Sequence, residues 1–178
     1  SCTDTTTQAI TVSSISASVS GNNSLCTGGS TTLSVTPTGG AAPYTYSWST
    51  NPPQTTPSVV LSYTASGVYT YTVNVIDVTG CGSSATYTVN VNAMPAPTIT
   101  APATLCQLTS GTLSATGGTS YSWSTGATTS SISVTPIFPG NQTYTVTVSN
   151  GSCSADTFAT INVLPLPSIT GTASSSVI

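Results

Sequence analysis

The stretch Tyr46-Ser47-Trp48-Ser49-Thr50 returns seventy-five residues later as Tyr121-Ser122-Trp123-Ser124-Thr125. In both copies Tyr and Trp stand two residues apart with Ser between them. That spacing puts both aromatics on one face of a β-strand and the serine on the other. Each copy is preceded by Thr-Leu-Ser (residues 32–34 and 112–114) and a Gly-Gly pair (Gly39-Gly40 and Gly117-Gly118). The chain has two Trp, one per copy. Each is expected to sit at the centre of a small β-sandwich core: Trp48 with Tyr46 and Tyr71, Trp123 with Tyr121 and Tyr144.

Outward from these centres the same score is played twice. Residues 15–25 read as an opening strand that runs into Leu25-Cys26, with Leu105-Cys106 as its counterpart. Leu33 and Val35 form the inward side of the next strand, as do Leu113 and Ala115. After the Trp strand, Asn51-Pro52-Pro53 breaks the first repeat, because Pro cannot join a ladder. Residues 58–63 read as a strand. Tyr69, Tyr71, Val73 and Val75 then give the strongest alternation in the chain, matched by Tyr144, Val146 and Val148. A turn at Thr79-Gly80 leads into a closing strand. That strand begins at a Cys and carries Val89/Val91, with Ile161/Val163 as the counterpart and Ile10/Val12 as a third copy. No segment has a helical period.

The expected organisation is all-β, with two tandem sandwiches flanked by strands of neighbouring repeats. Residues 1–14 are the closing strand of a preceding repeat, and 15–93 the first domain. Residues 94–97 are a Pro-rich linker, stiff because Pro favours extended conformations. Residues 98–163 are the second domain, and 164–178 a further linker with an opening strand. The chain is expected to be a piece of a longer array; strand exchange between subunits is the alternative.

Five cysteines follow the repeat: Cys2, Cys26, Cys81, Cys106 and Cys153. Cys26 with Cys81 brackets the first Trp motif, and Cys106 with Cys153 the second. Pairing them this way would stabilise each small domain by about 4 kcal/mol in the chain-entropy model. Cys2 is then left over. The alternative is a set of buried thiols. Disulfides imply an oxidising, extracellular or cell-surface setting.

Composition excludes several functions. The chain has no Lys, Arg or His, and its only acids are Asp4, Asp77 and Asp156, for a net charge of −3. Phosphate neutralisation needs Lys or Arg, so no nucleic-acid partner is expected. No apolar run approaches the ~20 residues of a spanning helix, so no membrane insertion is expected. Acid–base catalysis needs His, Lys or paired carboxylates, and the three Asp fall in three different repeat contexts. No catalytic residue, metal site or cofactor is implied. About two residues in five are Ser or Thr, far above average usage.

The motifs taken together resemble a known group. Short strands around a central Trp resemble the immunoglobulin sandwich. The order Leu-Cys, Thr-Leu-Ser, Gly-Gly, Tyr-Ser-Trp-Ser-Thr, Tyr-Thr-Val-x-Val, Cys, Pro-x-Pro resembles the Ig-like or PKD-like tandem repeats of large Bacteroidota surface proteins of the gliding and adhesin type. The resemblance covers nearly the whole chain. It implies a structural or adhesive module of an extracellular fibre or stalk, whose partners are neighbouring repeats or copies of the same protein. The total lack of basic residues and the insert at residues 51–57 depart from the pattern.

Two further readings concern sugars. Trp48 and Trp123 would stack on sugar rings if exposed, as in a carbohydrate-binding accessory domain of a secreted hydrolase. Glycans attached to the chain are the other reading. Asn22, Asn141 and Asn150 stand in Asn-x-Ser/Thr sequences. Thr5 follows Asp4, and Thr157 follows Asp156, as in the Asp-Thr acceptors that the resemblance brings with it.

Overall fold

The computed structural model describes residues 14–168. Cys2, Thr5 and the expected flanking strands at either end lie outside the described residues. The chain divides into two compact units, Ser1–Ala93 and Met94–Ile178. Among the described residues all regular structure is strand.

Unit 1 holds β1 (Ile15–Ser20), β2 (Ser24–Cys26), β3 (Ser30–Gly39), β4 (Thr45–Trp48), β5 (Ser58–Ser62), β6 (Gly67–Ile76) and β7 (Gly82–Asn92). They form two sheets, β1-β3-β5 and β2-β7-β6-β4. Unit 2 repeats this with β8 (Thr98–Thr100), β9 (Thr104–Cys106), β10 (Gly111–Thr116), β11 (Ser120–Trp123), β12 (Ser131–Val134), β13 (Gly140–Ser149) and β14 (Ser154–Leu164). Its sheets are β8-β10-β12 and β9-β14-β13-β11. A three-stranded sheet facing a four-stranded one, with the Trp strand at the edge of the larger sheet, is an immunoglobulin-like β-sandwich.

Alternation builds each core. Along β6 and β7 the apolar positions Val73, Val75, Val89 and Val91 turn inward, while Thr70, Asn74, Ser84 and Thr88 face out. Leu33, Trp48 and Val59 close the first cluster. Leu113, Trp123, Ile132, Val146, Val148, Ile161 and Val163 form the second. The two Trp are 1% and 3% exposed. Each indole N–H donates to a backbone carbonyl of the loop that follows, Thr56 at 2.9 Å and Thr129 at 2.8 Å. The polar edge of each buried ring is thereby satisfied.

The serine after each Trp has a local task. Ser49 N–H donates to Thr72 O, and Ser49 Oγ accepts from Thr72 N–H, both at 2.9 Å. Ser124 repeats this with Thr145 at 2.8 and 3.2 Å. The side chain supplies the ladder's last acceptor just where the strand leaves the sheet.

The opening strand differs from the sequence reading. Residues 15–25 are not one strand: β1 pairs antiparallel with β3, and β2 then pairs parallel with β7 in the other sheet. The chain changes sheets at Asn22. Its Oδ1 accepts from Ser24 N–H and its own N–H donates to Thr31 Oγ1, both at 3.1 Å. An Asx turn of this kind offers the backbone an alternative to the ladder.

Candidate functional site

The described cysteines and Asp77 lie at the two ends of a sandwich, while Trp48 and Trp123 lie in the cores. At the hairpin pole, β6 turns into β7 and β13 into β14. At the exit pole, β7 and β14 end and the short parallel strands β2 and β9 lie beside them.

The cysteines sit at opposite poles, which corrects the expected pairing. Cys26 is in register with Asn92, the last residue of β7, whereas Cys81 immediately precedes Gly82, the first. Eleven residues of strand separate them, roughly 35 Å at ~3.3 Å per residue. Cys106 likewise pairs with Leu164 at the end of β14, while Cys153 precedes its start at Ser154. A disulfide needs Cα atoms within about 7 Å. Neither Cys26–Cys81 nor Cys106–Cys153 is therefore formed. Cys26 and Cys153 are each disulfide-bonded. Cys81 and Cys106 are thiols; Cys106 is exposed, and the Cys81 sulfur accepts from Thr79 Oγ1 at 3.5 Å.

Asp77 closes the hairpin pole of unit 1. Its carboxylate is buried and accepts four hydrogen bonds: from Thr79 Oγ1 at 2.7 Å, from Thr79 N and Cys81 N at 2.9 Å, and from Ala41 N at 3.0 Å. The Thr79 hydroxyl, helped by the three backbone N–H groups, holds its pKa below the usual carboxylate range against the opposing effect of burial. The carboxylate thus locks the turn to the loop after Gly39-Gly40. In unit 2 the corresponding residue is Asn150, which keeps the backbone bond to Cys153 O at 3.1 Å. This matches the bond from Asp77 N to Cys81 O at 2.9 Å.

The poles carry exposed apolar side chains, and they do so unequally. At the exit pole of unit 2, Leu108, Ile137 and Phe138 are 56%, 56% and 67% exposed, with Leu164 and Leu166 beside them. Gln107 ties them together. Its N–H donates to Leu164 O at 2.8 Å, its Nε2 to Ile137 O at 2.7 Å, and its Oε1 accepts from Leu166 N at 3.4 Å. Leu108 adopts φ +64°, a left-handed conformation that costs a non-glycine residue roughly 1 kcal/mol. The equivalent residues of unit 1 are Gly28, Thr64 and Ala65. The alignment is fixed by the shared bonds Gly28 N to Tyr63 O and Leu108 N to Pro136 O. At the hairpin pole the bias reverses. Unit 1 exposes Ile76 and Val78, whereas unit 2 has Ser149 and Gly151.

The sequence reading missed these residues because each is unremarkable alone. Aligning the two repeats column by column would have shown them, as a Leu standing where its twin has a Gly that needs positive φ.

The remaining candidates are placed as follows. Tyr46, Tyr121, Tyr71 and Tyr144 are half-buried against the cores. Asn22, Asn141 and Asn150 are exposed. Thr157 is half-buried on the inward alternation of β14, with Asp156 on the outer face beside it. The outer faces carry hydroxyl pairs: Thr70 with Thr88 at 3.3 Å and Thr143 with Thr160 at 3.1 Å. Among the described residues no three His, Cys, Asp or Glu side chains come together as a metal site. No helix there is long and apolar enough to cross a membrane.

No family model matches the chain, and no curated protein does. Solved structures similar to it include murine CEACAM1b, at 16% identity and TM-score 0.41, covering 87% of this chain and 100% of that one. The titin domains z1z2, in complex with telethonin, match at 15% identity and TM-score 0.35, covering 86% and 95%. The SGBP-B protein of the Bacteroides ovatus mixed-linkage glucan utilization locus, in complex with a heptasaccharide, matches at 14% identity and TM-score 0.31. That match covers 80% of this chain and 43% of that one. With every TM-score below 0.5, none of these likenesses speaks to ligand or task.

Proposed function

We propose that the chain is a non-catalytic structural and adhesive module of an extracellular or cell-surface fibre, of the kind found in tandem repeats of large Bacteroidota surface proteins. The observation that carries this reading is the polar layout of each sandwich. The chain enters a unit at the pole where β1 or β8 begins and leaves at the opposite pole, where β7 or β14 ends. The described cysteines lie at those poles, as do the exposed Ile76, Val78, Leu108, Ile137 and Phe138, while Val60 and Phe158 are exposed mid-strand. A module built this way joins its neighbours end to end. The disulfide-bonded Cys26 and Cys153 support an oxidising compartment. A chain with no Lys, Arg or His has no basic side chain to activate a Ser, Thr or Cys nucleophile. Its partners are copies of itself or adjoining repeats, with no nucleic acid and no membrane insertion.

The carbohydrate-binding alternative rested on Trp48 and Trp123. Both rings are buried, so neither is a stacking platform. Negative-stain electron microscopy of the purified chain tests the fibre reading. Filaments one sandwich wide are expected; particles no longer than one chain at high concentration in oxidising buffer would refute it.

A further inference from the structure

We propose that Asn150 is a self-modifying site: its side-chain amide is lost as ammonia through a succinimide formed with Gly151, leaving an acid in the turn between β13 and β14. The chemistry needs an Asn whose following backbone nitrogen can reach the side-chain carbonyl carbon. A side chain on that following residue hinders the approach. Asn150 is the one Asn of the chain that is followed by Gly.

The local structure favours ring closure. Asn150 is exposed and lies between Ser149, the last residue of β13, and Ser154, the first of β14. The attacking Gly151 nitrogen therefore stands outside the ladder. Its N–H donates to Ser149 Oγ at 3.2 Å, the long end of the range for such bonds. Gly151 holds φ +103°, and a Cβ there would meet nothing within 4 Å, so backbone and surroundings leave room for the ring. The loop pair Asn22-Asn23 is less suited. Its following residues, Asn23 and Ser24, carry a Cβ, and Asn22 Oδ1 is engaged by Ser24 N–H at 3.1 Å.

The step balances with water alone. Gly151 N gives up its proton and attacks Asn150 Cγ. The bond from Cγ to the side-chain nitrogen breaks, and ammonia leaves with a proton. Water then opens the imide at either carbonyl. Opening at Cγ restores the main chain and gives aspartate. Opening at the main-chain carbonyl gives isoaspartate, with the chain routed through the side-chain methylene. One water is consumed and one ammonia released, with no change of oxidation state.

Unit 1 shows what the first product resembles. The equivalent residue is Asp77, fixed by the shared bonds from Asp77 N to Cys81 O and from Asn150 N to Cys153 O. A carboxylate is thus already native to this station of the fold. The second product adds a methylene to the main chain of the turn and displaces Asn150 N from Cys153 O. Either product adds a negative charge to a chain of net charge −3 that has no cation to offset it. Because only water and time are needed, the acid fraction at this turn rises with the age of the chain.

The test incubates the full chain in warm, mildly alkaline buffer beside a urea-unfolded reference. Samples taken over weeks are digested with pepsin and read by mass spectrometry, with fragmentation that separates aspartate from isoaspartate. An amide-to-acid mass gain is expected in the folded chain, confined to the peptide carrying residues 149–153, with isoaspartate present. Asn150→Gln should leave that peptide unmodified and the circular dichroism spectrum unchanged. Gly151→Ala should slow conversion about tenfold or more, because it places a Cβ beside the attacking nitrogen. A folded chain that stays unmodified while the unfolded reference converts would show that the turn protects Asn150, and would overturn the proposal. So would acid appearing first at Asn22 or Asn23, aspartate without isoaspartate, or an unslowed Gly151→Ala. None of these outcomes bears on the fibre reading, which the inference does not use.

Discussion

Leu33→Ala tests whether each sandwich stands on its own core. Leu33 has no exposed surface, lies in register with Val59 across the small sheet, and belongs to the cluster around Trp48. Truncating a fully buried Leu removes its transfer free energy and leaves a cavity, together about 2–5 kcal/mol. A unit of roughly 90 residues melts with an entropy near 0.2 kcal/mol/K, so a loss of about 3 kcal/mol lowers its Tm by about 15 °C. The second cluster, around Leu113 and Trp123, shares no residue with the first. Its transition should therefore stay where it was. Differential scanning calorimetry reads both transitions. A Trp48→Phe background, in which Trp123 alone fluoresces, assigns them. If the loss is below about 1 kcal/mol, or if Leu33→Ala moves the Trp123 transition by the same amount, the two-core account is wrong.

Tyr63→Phe should leave unit 1 as stable or raise its stability by up to about 1 kcal/mol in urea titrations. The Tyr63 hydroxyl is buried with no hydrogen-bond partner, and removing an unpaired buried polar group relieves its desolvation cost. That same burial raises its pKa well above the usual tyrosine value. Acid should weaken unit 1 through Asp77. Its folded pKa is lowered, so its contribution is fully present above the unfolded carboxylate pKa and is lost as pH falls through the folded value. Melting curves should be flat from neutral pH to about pH 5 and then fall in a way that Asp77→Asn abolishes. An unchanged acid limb in that variant would remove Asp77 as the cause. Gly117→Ala should destabilise unit 2 by about 1–3 kcal/mol, measured by Trp123 emission. Gly117 has φ +100°, and a Cβ there would strike Ala96 O. A neutral result would show that the turn rearranges.

The fold was legible because period two is an unusually direct code. Tyr69 to Val75 and Tyr144 to Val148 alternate without a break, and each Trp marks the strand that crosses its core. What period two cannot carry is which sheet a strand joins. The opening segment alternates through residue 19, yet the hydrogen bonds of Asn22 send Leu25-Cys26 to the opposite sheet. The misassigned cysteines follow from the same gap. Spacing along the chain gave a bracket around each Trp. It said nothing of poles, and an eleven-residue strand was enough to carry Cys81 from Cys26. The final Ser of the repeated pentapeptide was likewise visible as a letter. Its acceptor task appears only once β4 and β6 are laid side by side.

The uncharged, hydroxyl-rich faces have a bearing on the setting in which such a chain works. Thr70, Thr88, Thr143 and Thr160 pair with one another, and no cation stands anywhere in the sequence to gather counter-ions. Encounters between copies, each of net charge −3, gain no attractive steering, and salt only screens a weak mutual repulsion. Solutes excluded from protein surfaces, such as sulfate or sugars, still press the apolar poles together. On the proposed fibre reading, assembly would respond to drying and to osmolytes more than to salinity.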